Sequence, residues 1–243
     1  MPKVKVNDIE MYYEVHGEGE PLVLLHGYFC SSQQWNHFIP EFQERFQLII
    51  PDCRGHGRTT NPSDELTGRQ VALDVFELLD HLNIEHIKGI GYSAGGTALL
   101  HMATQQPERI QSMILISTTA YYCEKCHSAA RTYFTMENIP FRQTHIYGEA
   151  QVRKLYEQFI AQKDSSDDIT KPYLSTIQEK TLIIHGDRDK FFPVDIALHM
   201  YEAIPDSFLW VVPNAGHPLV RGDHADDIKR VALDFFTKDW GTQ

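Results

Sequence analysis

Short apolar runs alternate with amphipathic stretches along the chain, and the two periodicities outline its elements. Val4 to Val15 alternates about Asn7-Asp8, which predicts a hairpin with a two-residue turn at a sheet edge. Leu22-Val23-Leu24-Leu25 is apolar without a break, the pattern of a strand covered on both faces. Trp35, Phe38, Phe42 and Phe46 recur at helical spacing behind candidate caps Ser31 and Ser32, and Leu48-Ile49-Ile50 supplies the next strand. An amphipathic helix is expected from about Gln70 to Leu82. Further strands are expected at Ile87 to Ile90, Met113 to Ile116, Thr181 to Ile184 and Phe208 to Val212, with helices after Gly96, after Pro193 and around Ile228 to Phe236.

This repeated alternation of strand and helix predicts an α/β fold: a mostly parallel central sheet with helices on both faces and ligands outside the carboxyl ends of its strands. His26, Ser93, Asp189 and His217 each follow a strand and are expected to converge on that edge. The rhythm breaks between Ser117 and Lys180, where the pattern is helical, as in Glu149 to Ala161. That interval is too long for an ordinary connection and reads as a small helical cap. The expected organisation is therefore a core in two parts, 1–117 and 181–243, with a cap at 118–180. Tyr121, Tyr122, Tyr133, Phe134 and Tyr147 either line a substrate pocket or form the core of the cap and its seam with the main domain.

The chain is organised around His86 to Gln106, HIKGIGYSAGGTALLHMATQQ. Its strand, sharp turn and helix place one serine at the turn, with Gly91 and Gly95 where larger side chains collide. Such a turn lifts Ser93 clear of the sheet and aims the first amides of the next helix at negative charge forming beside it. The plainer alternative is a glycine-rich turn with a surface serine. A serine nucleophile needs a base and a group to orient that base. Among thirteen histidines, His217 lies in the turn-rich loop Pro213-Asn214-Ala215-Gly216-His217-Pro218 after the last strand, from which it can swing over a strand-end pocket. His185 is read as shaping the loop that presents the acid. Asp187 and Asp189 are the acid candidates, with Asp189 expected to reach inward and Asp187 to shape the turn.

Composition narrows the partners. The 243 residues carry 22 Lys+Arg against 33 Asp+Glu, a formal charge of −11 without a basic cluster, so nucleic acid and anionic membrane surfaces are not expected partners. The N-terminus lacks a signal-peptide core, and no run approaches the ~20 apolar residues of a membrane span, so a soluble cytoplasmic protein is expected. Cys30, Cys53, Cys123 and Cys126 are too sparse for a disulfide scaffold. Cys123-Glu124-Lys125-Cys126 has the spacing of redox or metal motifs but lacks a second pair, so no metal site is expected. Gly55, Gly57 and the Gly95-Gly96 pair do not form a dinucleotide fingerprint, a P-loop lysine is absent, and no cofactor is expected. Nothing in the sequence sets an oligomeric state.

The segments HGYF at 26–29, DCRGHGRT at 52–59, GYSAGG at 91–96, GDRDKFFP at 186–193 and NAGHP at 214–218 resemble, in order and placement, those of serine hydrolases of the α/β-hydrolase superfamily. The resemblance implies that Ser93 is the nucleophile, His217 the general base and then acid, and Asp189 the residue that holds the imidazole. It also implies an oxyanion hole of the Tyr28 and Ala94 backbone amides, and no chemistry for the 52–58 loop. The implied reaction is acyl transfer from a small or medium, largely apolar ester or lactone. Carbon–carbon bond hydrolysis, perhydrolase or haloperoxidase activity, or ligand binding without turnover are the alternatives. Serine at the elbow argues against the epoxide hydrolases and haloalkane dehalogenases of the superfamily, which form an alkyl ester on a carboxylate. Phe29 and Tyr92, with Tyr121 and Tyr122, are candidate substrate contacts; for Phe29 and Tyr92 the alternative is packing of the elbow and the first loop.

Overall fold

The computed structural model describes residues 2–137, 139, 148–161 and 167–241. Within them the apolar runs become eight strands: β1 Lys3–Val6, β2 Ile9–His16, β3 Glu20–Leu25, β4 Phe46–Pro51, β5 Ile87–Tyr92, β6 Ile110–Ile116, β7 Lys180–Gly186 and β8 Ser207–Val212. They form one sheet in the order β1-β2-β4-β3-β5-β6-β7-β8. β2 pairs antiparallel with both β1 and β4, and the pairings from β4 to β8 are parallel. The expected hairpin is the sheet edge. Asn7 turns it at φ +49, a left-handed conformation that asparagine tolerates, and its Nδ2 donates to Asp74 at 2.9 Å.

The helices are α1 Ile39–Phe42, α2 Gly68–His81, α3 Ala94–Gln105, α4 Glu124–Tyr133, α5 Glu149–Ala161, α6 Lys171–Leu174, α7 Val194–Ala203 and α8 Ala225–Thr237. Thr67 and Gln70 close a capping box at the start of α2, which satisfies two amides that the helix leaves open. Strand side chains alternate between two cores. Val23, Leu25, Ile49, Met113, Leu115 and Ile183 pack with α2, α3 and α7. Leu22, Leu24, Leu48, Ile50, Ile114, Ile116, Leu182 and Ile184 pack with α1 and α8. The unbroken apolar runs follow from this double burial, since each residue of a central strand faces one core or the other. Leu24 is fully buried, and truncating such a leucine to alanine costs about 2–5 kcal/mol.

The aromatic series from Trp35 differs from the helix expected of it. Ser32–Trp35 is one 3-10 turn, α1 is a single turn, and Phe46 opens β4. The rings nevertheless pack in sequence, Trp35 on Phe38 at 5.1 Å, Phe38 on Phe42 at 5.5 Å and Phe42 on Phe46 at 6.4 Å. Their spacing reports a shared core rather than one continuous helix. Neither serine caps that turn through its side chain; Ser32 Oγ instead accepts from Arg58 at 2.8 Å.

From β3 the chain crosses to β4 on one side, then to β5 on the other. This reversal opens a crevice at the carboxyl ends of β3 and β5. Leu25 pairs with Gly91, so the loop after β3 and the turn after β5 leave the sheet side by side. Between β6 and β7 the described residues hold α4, α5 and α6 and no strand.

Candidate active site

The turn after β5 holds Ser93 at φ +52 and ψ −120, a strained conformation that costs of the order of 1–3 kcal/mol. Its surroundings enforce it. The Ser93 amide donates to the Ile116 carbonyl at 2.9 Å, and the Ser93 carbonyl accepts from Gly96 N at 2.9 Å and Thr118 Oγ1 at 2.7 Å. A Cβ on Gly91 would lie 2.5 Å from Gly96 Cα, and one on Gly95 would lie 2.2 Å from the Leu25 carbonyl oxygen. Glycine at these two positions is therefore a steric requirement of the turn.

Residues far apart in sequence meet at this serine. His217 Nε2 lies 3.0 Å from Ser93 Oγ, and His217 Nδ1 lies 2.7 Å from Asp189 Oδ2. A carboxylate only accepts, so Nδ1 carries the hydrogen and Nε2 faces the serine hydroxyl as an acceptor. Asp189 Oδ1 accepts from the amides of Phe191 at 2.8 Å and Phe192 at 3.1 Å. Burial pushes the Asp189 carboxyl up, but the bond from His217, the positive charge of an imidazolium there and these amides outweigh it and hold the group below the usual carboxylate range.

Asp187 takes the other part expected of it, accepting from the Ala215 amide at 3.3 Å. The two loops touch closely, since a Cβ on Gly186 would lie 2.3 Å from the Ala215 carbonyl oxygen. His26 is not part of this set. It is buried; its Nδ1 donates to the Gly27 carbonyl at 2.8 Å and its Nε2 accepts from the Cys53 amide at 2.9 Å. It joins the loop after β3 to the loop after β4. The second of these is fixed by Asp52, which accepts from the amides of Ser32 at 2.7 Å and Arg58 at 2.9 Å, and by the Arg54 fork on Asp74 at 2.7 and 2.8 Å.

A cavity of about 320 Å³ opens over Ser93 and His217. Tyr28, Phe29, Tyr92 and Tyr122 line it, as do Tyr133 and Phe134. Tyr121 is the exception among the tentative contacts: it is not among the lining residues, and its ring packs edge-on against His199 at 5.1 Å. The Tyr121 amide donates to Thr119 Oγ1 at 3.2 Å, and the ring contact with His199 puts the side chain against α7 instead of the cavity. Tyr147 lies outside the described residues. Cys126, Phe159, Phe191, Phe192 and Arg221 also line the cavity; no single motif marks them, although Phe191 and Phe192 follow directly on the Asp189 loop. Phe29 takes φ +58 in a turn closed by Cys30 N to the Gly27 carbonyl at 3.1 Å. Tyr28 and Ala94 flank Ser93 on the cavity wall, and among the described residues neither backbone amide is paired with an acceptor.

Beyond Ala94 and Gly95 a smaller cavity of about 40 Å³ is lined by His26, His56 and Asp167 among others. Among the described residues no group of three or more His, Cys, Asp or Glu side chains is placed to hold a metal ion. No helix of the described residues is long and apolar enough to cross a membrane.

Comparison with known proteins places this architecture. Residues 20–160, more than half of the chain, match the family model of the alpha/beta hydrolase fold. A 2-hydroxy-6-oxo-6-phenylhexa-2,4-dienoate hydrolase of Comamonas testosteroni is 26% identical over 264 aligned positions, covering 95% of this chain and 92% of that protein. A stretch of 111 residues, 46% of this chain, is 34% identical to a soluble epoxide hydrolase of Corynebacterium and spans 39% of that protein's length. Among solved structures, the enol-lactonase of Burkholderia xenovorans superposes with a TM-score of 0.82 at 22% identity, covering 98% of this chain and 100% of that one. Sheet order, the strained serine turn and the matched region agree: this chain belongs to the alpha/beta hydrolase fold family.

Proposed function

We propose that the chain is a serine hydrolase that cleaves a carboxylic ester or lactone through an acyl-enzyme. The observation that carries this reading is the unbroken bond path from Ser93 Oγ through His217 to Asp189 beneath an apolar cavity. Ser93 Oγ attacks the carbonyl carbon while His217 Nε2 takes its proton, and Asp189 stabilises the imidazolium that results. The oxyanion is held by the Tyr28 and Ala94 amides; losing one such donor costs about 3 kcal/mol. The intermediate collapses as His217 returns the proton to the leaving alcohol. Water, deprotonated by the same imidazole, then releases the acid and restores the serine.

The cavity suits an apolar acyl group of small to medium size, with the segment 118–180 read as the cap over it. A serine at the elbow is the wrong nucleophile for the alkyl-ester route of epoxide hydrolases, so the activity of the Corynebacterium protein is not carried over. The whole-length likeness to the Comamonas enzyme favours one second reading, carbon–carbon bond hydrolysis on the same three residues. A panel of p-nitrophenyl acetate, p-nitrophenyl butyrate and a 2-hydroxy-6-oxo-dienoate separates the two by kcat/KM. A fluorophosphonate probe should label Ser93 and leave Ser93→Ala unlabelled. Labelling that persists in the variant, or no Ser93-dependent turnover on any of these substrates, would overturn the proposal.

A further inference from the structure

Cys123 and Cys126 are left over once the residues around Ser93 are accounted for. Cys123 is the N-cap of α4, and Cys126 is that helix's third residue. The Cys126 amide donates to the Cys123 sulfur at 3.4 Å, and the two sulfur atoms stand 2.8 Å apart. Both side chains are free thiols. Sulfur atoms at that separation need little more than loss of hydrogen and a further approach to about 2.05 Å to be joined.

The two thiols are not equivalent. Cys123 is partly exposed at the amide end of α4, where a reagent from solution reaches its sulfur first. Cys126 is 2% exposed, and burial, with the neighbouring Cys123, pushes its thiol up to about 12. Cys123 is thus the attacking sulfur and Cys126 the resolving one. Cys126, Ala130 and Tyr133 follow one another at helical spacing on α4, and all three line the cavity over Ser93. A bond at Cys126 therefore acts on the first turn of a helix whose face is the cavity wall.

We propose that Cys123 and Cys126 form a reversible disulfide, made by exchange with a small-molecule disulfide, whose closure changes the cavity wall above Ser93. Cys123 gives its proton to water, and the thiolate so formed attacks one sulfur of the reagent, forming a mixed disulfide and releasing one thiolate. Cys126 gives up its proton to that thiolate and attacks the Cys123 sulfur; the protein S–S bond forms and the second reagent sulfur leaves, taking a proton from water. The protein loses two electrons and two protons, and the reagent disulfide becomes two thiols.

The test uses the full chain incubated with glutathione disulfide, followed by alkylation in denaturant and peptide mass mapping, with a parallel titration of the folded chain by the amphiphilic dye 1-anilinonaphthalene-8-sulfonate. Alkylatable thiols should fall from four to two, with the crosslink mapped to Cys123–Cys126 and reversed by dithiothreitol. The Kd of the dye should shift about threefold or more on oxidation. Cys123→Ser, which keeps a capping oxygen, should show neither the crosslink nor the shift, and Cys126→Ala should retain glutathione on Cys123. Four thiols after treatment, or a crosslink to Cys30 or Cys53, would overturn the site. A Cys123–Cys126 crosslink with an unchanged dye Kd would overturn its coupling to the cavity. Neither readout needs turnover, so a failure of the hydrolase proposal stays distinguishable from a failure of this one.

Discussion

His185 Nε2 donates to the Phe192 carbonyl at 2.8 Å, tying the end of β7 across the loop that carries Asp189. Asp189 Oδ1 closes the same loop from inside through the Phe191 and Phe192 amides. The carboxylate is therefore aimed by a partner that never touches the serine. His185→Leu should lower kcat about 10- to 100-fold through misplacement of the acid, while His185→Gln, which keeps a donor, should lose less. Steady-state kinetics of the two variants check this; equal rates in His185→Leu and wild type would remove His185 from the positioning role.

The neighbouring acids should separate sharply. Asp189→Asn leaves the His217 hydrogen without its carboxylate acceptor, and the corresponding change in a serine protease lowers kcat about 10⁴-fold. Asp187→Asn keeps an oxygen for the Ala215 amide and should change kcat by less than about tenfold. Measured kcat in the reverse order would move the acid role to Asp187.

Gly95→Ala tests the turn itself. Its Cβ would meet backbone oxygen from Leu25 at 2.2 Å and from His26 at 2.7 Å, and neither can move without disturbing β3. Overpacking of this kind costs about 1–3 kcal/mol or more, so Gly95→Ala should fall in Tm and in soluble yield. Gly222→Ala gives a comparison without a clash, because nothing lies within 4 Å of a Cβ there, although its φ of +72 adds backbone strain. A Gly95→Ala protein as stable as wild type would show that the turn has room that its atoms do not reveal.

Acid should destabilise the fold early. Burial pushes the imidazoles of His26, His56 and His185 down, His56 to about 3. Their unfolded forms bind a proton near pH 6.5, so as pH drops below that value the unfolded chain holds more protons and stability falls, for His56 down to about pH 3. The fully buried His56 alone contributes of the order of 1.4 kcal/mol per pH unit within that window. Urea midpoints at pH 7 and pH 5 measure the effect, and a flat midpoint would contradict buried neutral histidines. Asp189 and Asp52 are held below the usual carboxylate range, so what they contribute is present above the unfolded carboxylate value and is lost only at lower pH still.

Local pattern made much of this legible. The edge hairpin, the buried strands and the helix after Ser93 follow from residue-by-residue periodicity, because each central strand is apolar on both faces. The serine turn is legible partly for the same local reason, since Gly91 answers a contact with Gly96, whereas Gly95 answers the Leu25 carbonyl of a distant strand and is legible only through the motif. Phe46 was less so: four aromatics at helical spacing belong to two short turns and a strand, and their common core is a long-range fact. Tyr121 and Cys126 show the same limit. Both lie in the segment between β6 and β7, yet one turns to His199 and the other to the cavity, a choice made by how that segment lies on the sheet.

Ser93, Asp189 and His217 stand on loops after β5, β7 and β8, whereas Tyr122, Cys126, Tyr133 and Phe159 reach the cavity from the segment between β6 and β7. Reactive groups and much of the surrounding wall thus travel on different stretches of chain. Grafting a foreign segment between Thr119 and Glu179, which keeps the Thr118 bond to the Ser93 carbonyl and all of β7, should exchange the repertoire of molecules admitted while leaving the proton-carrying framework as it is.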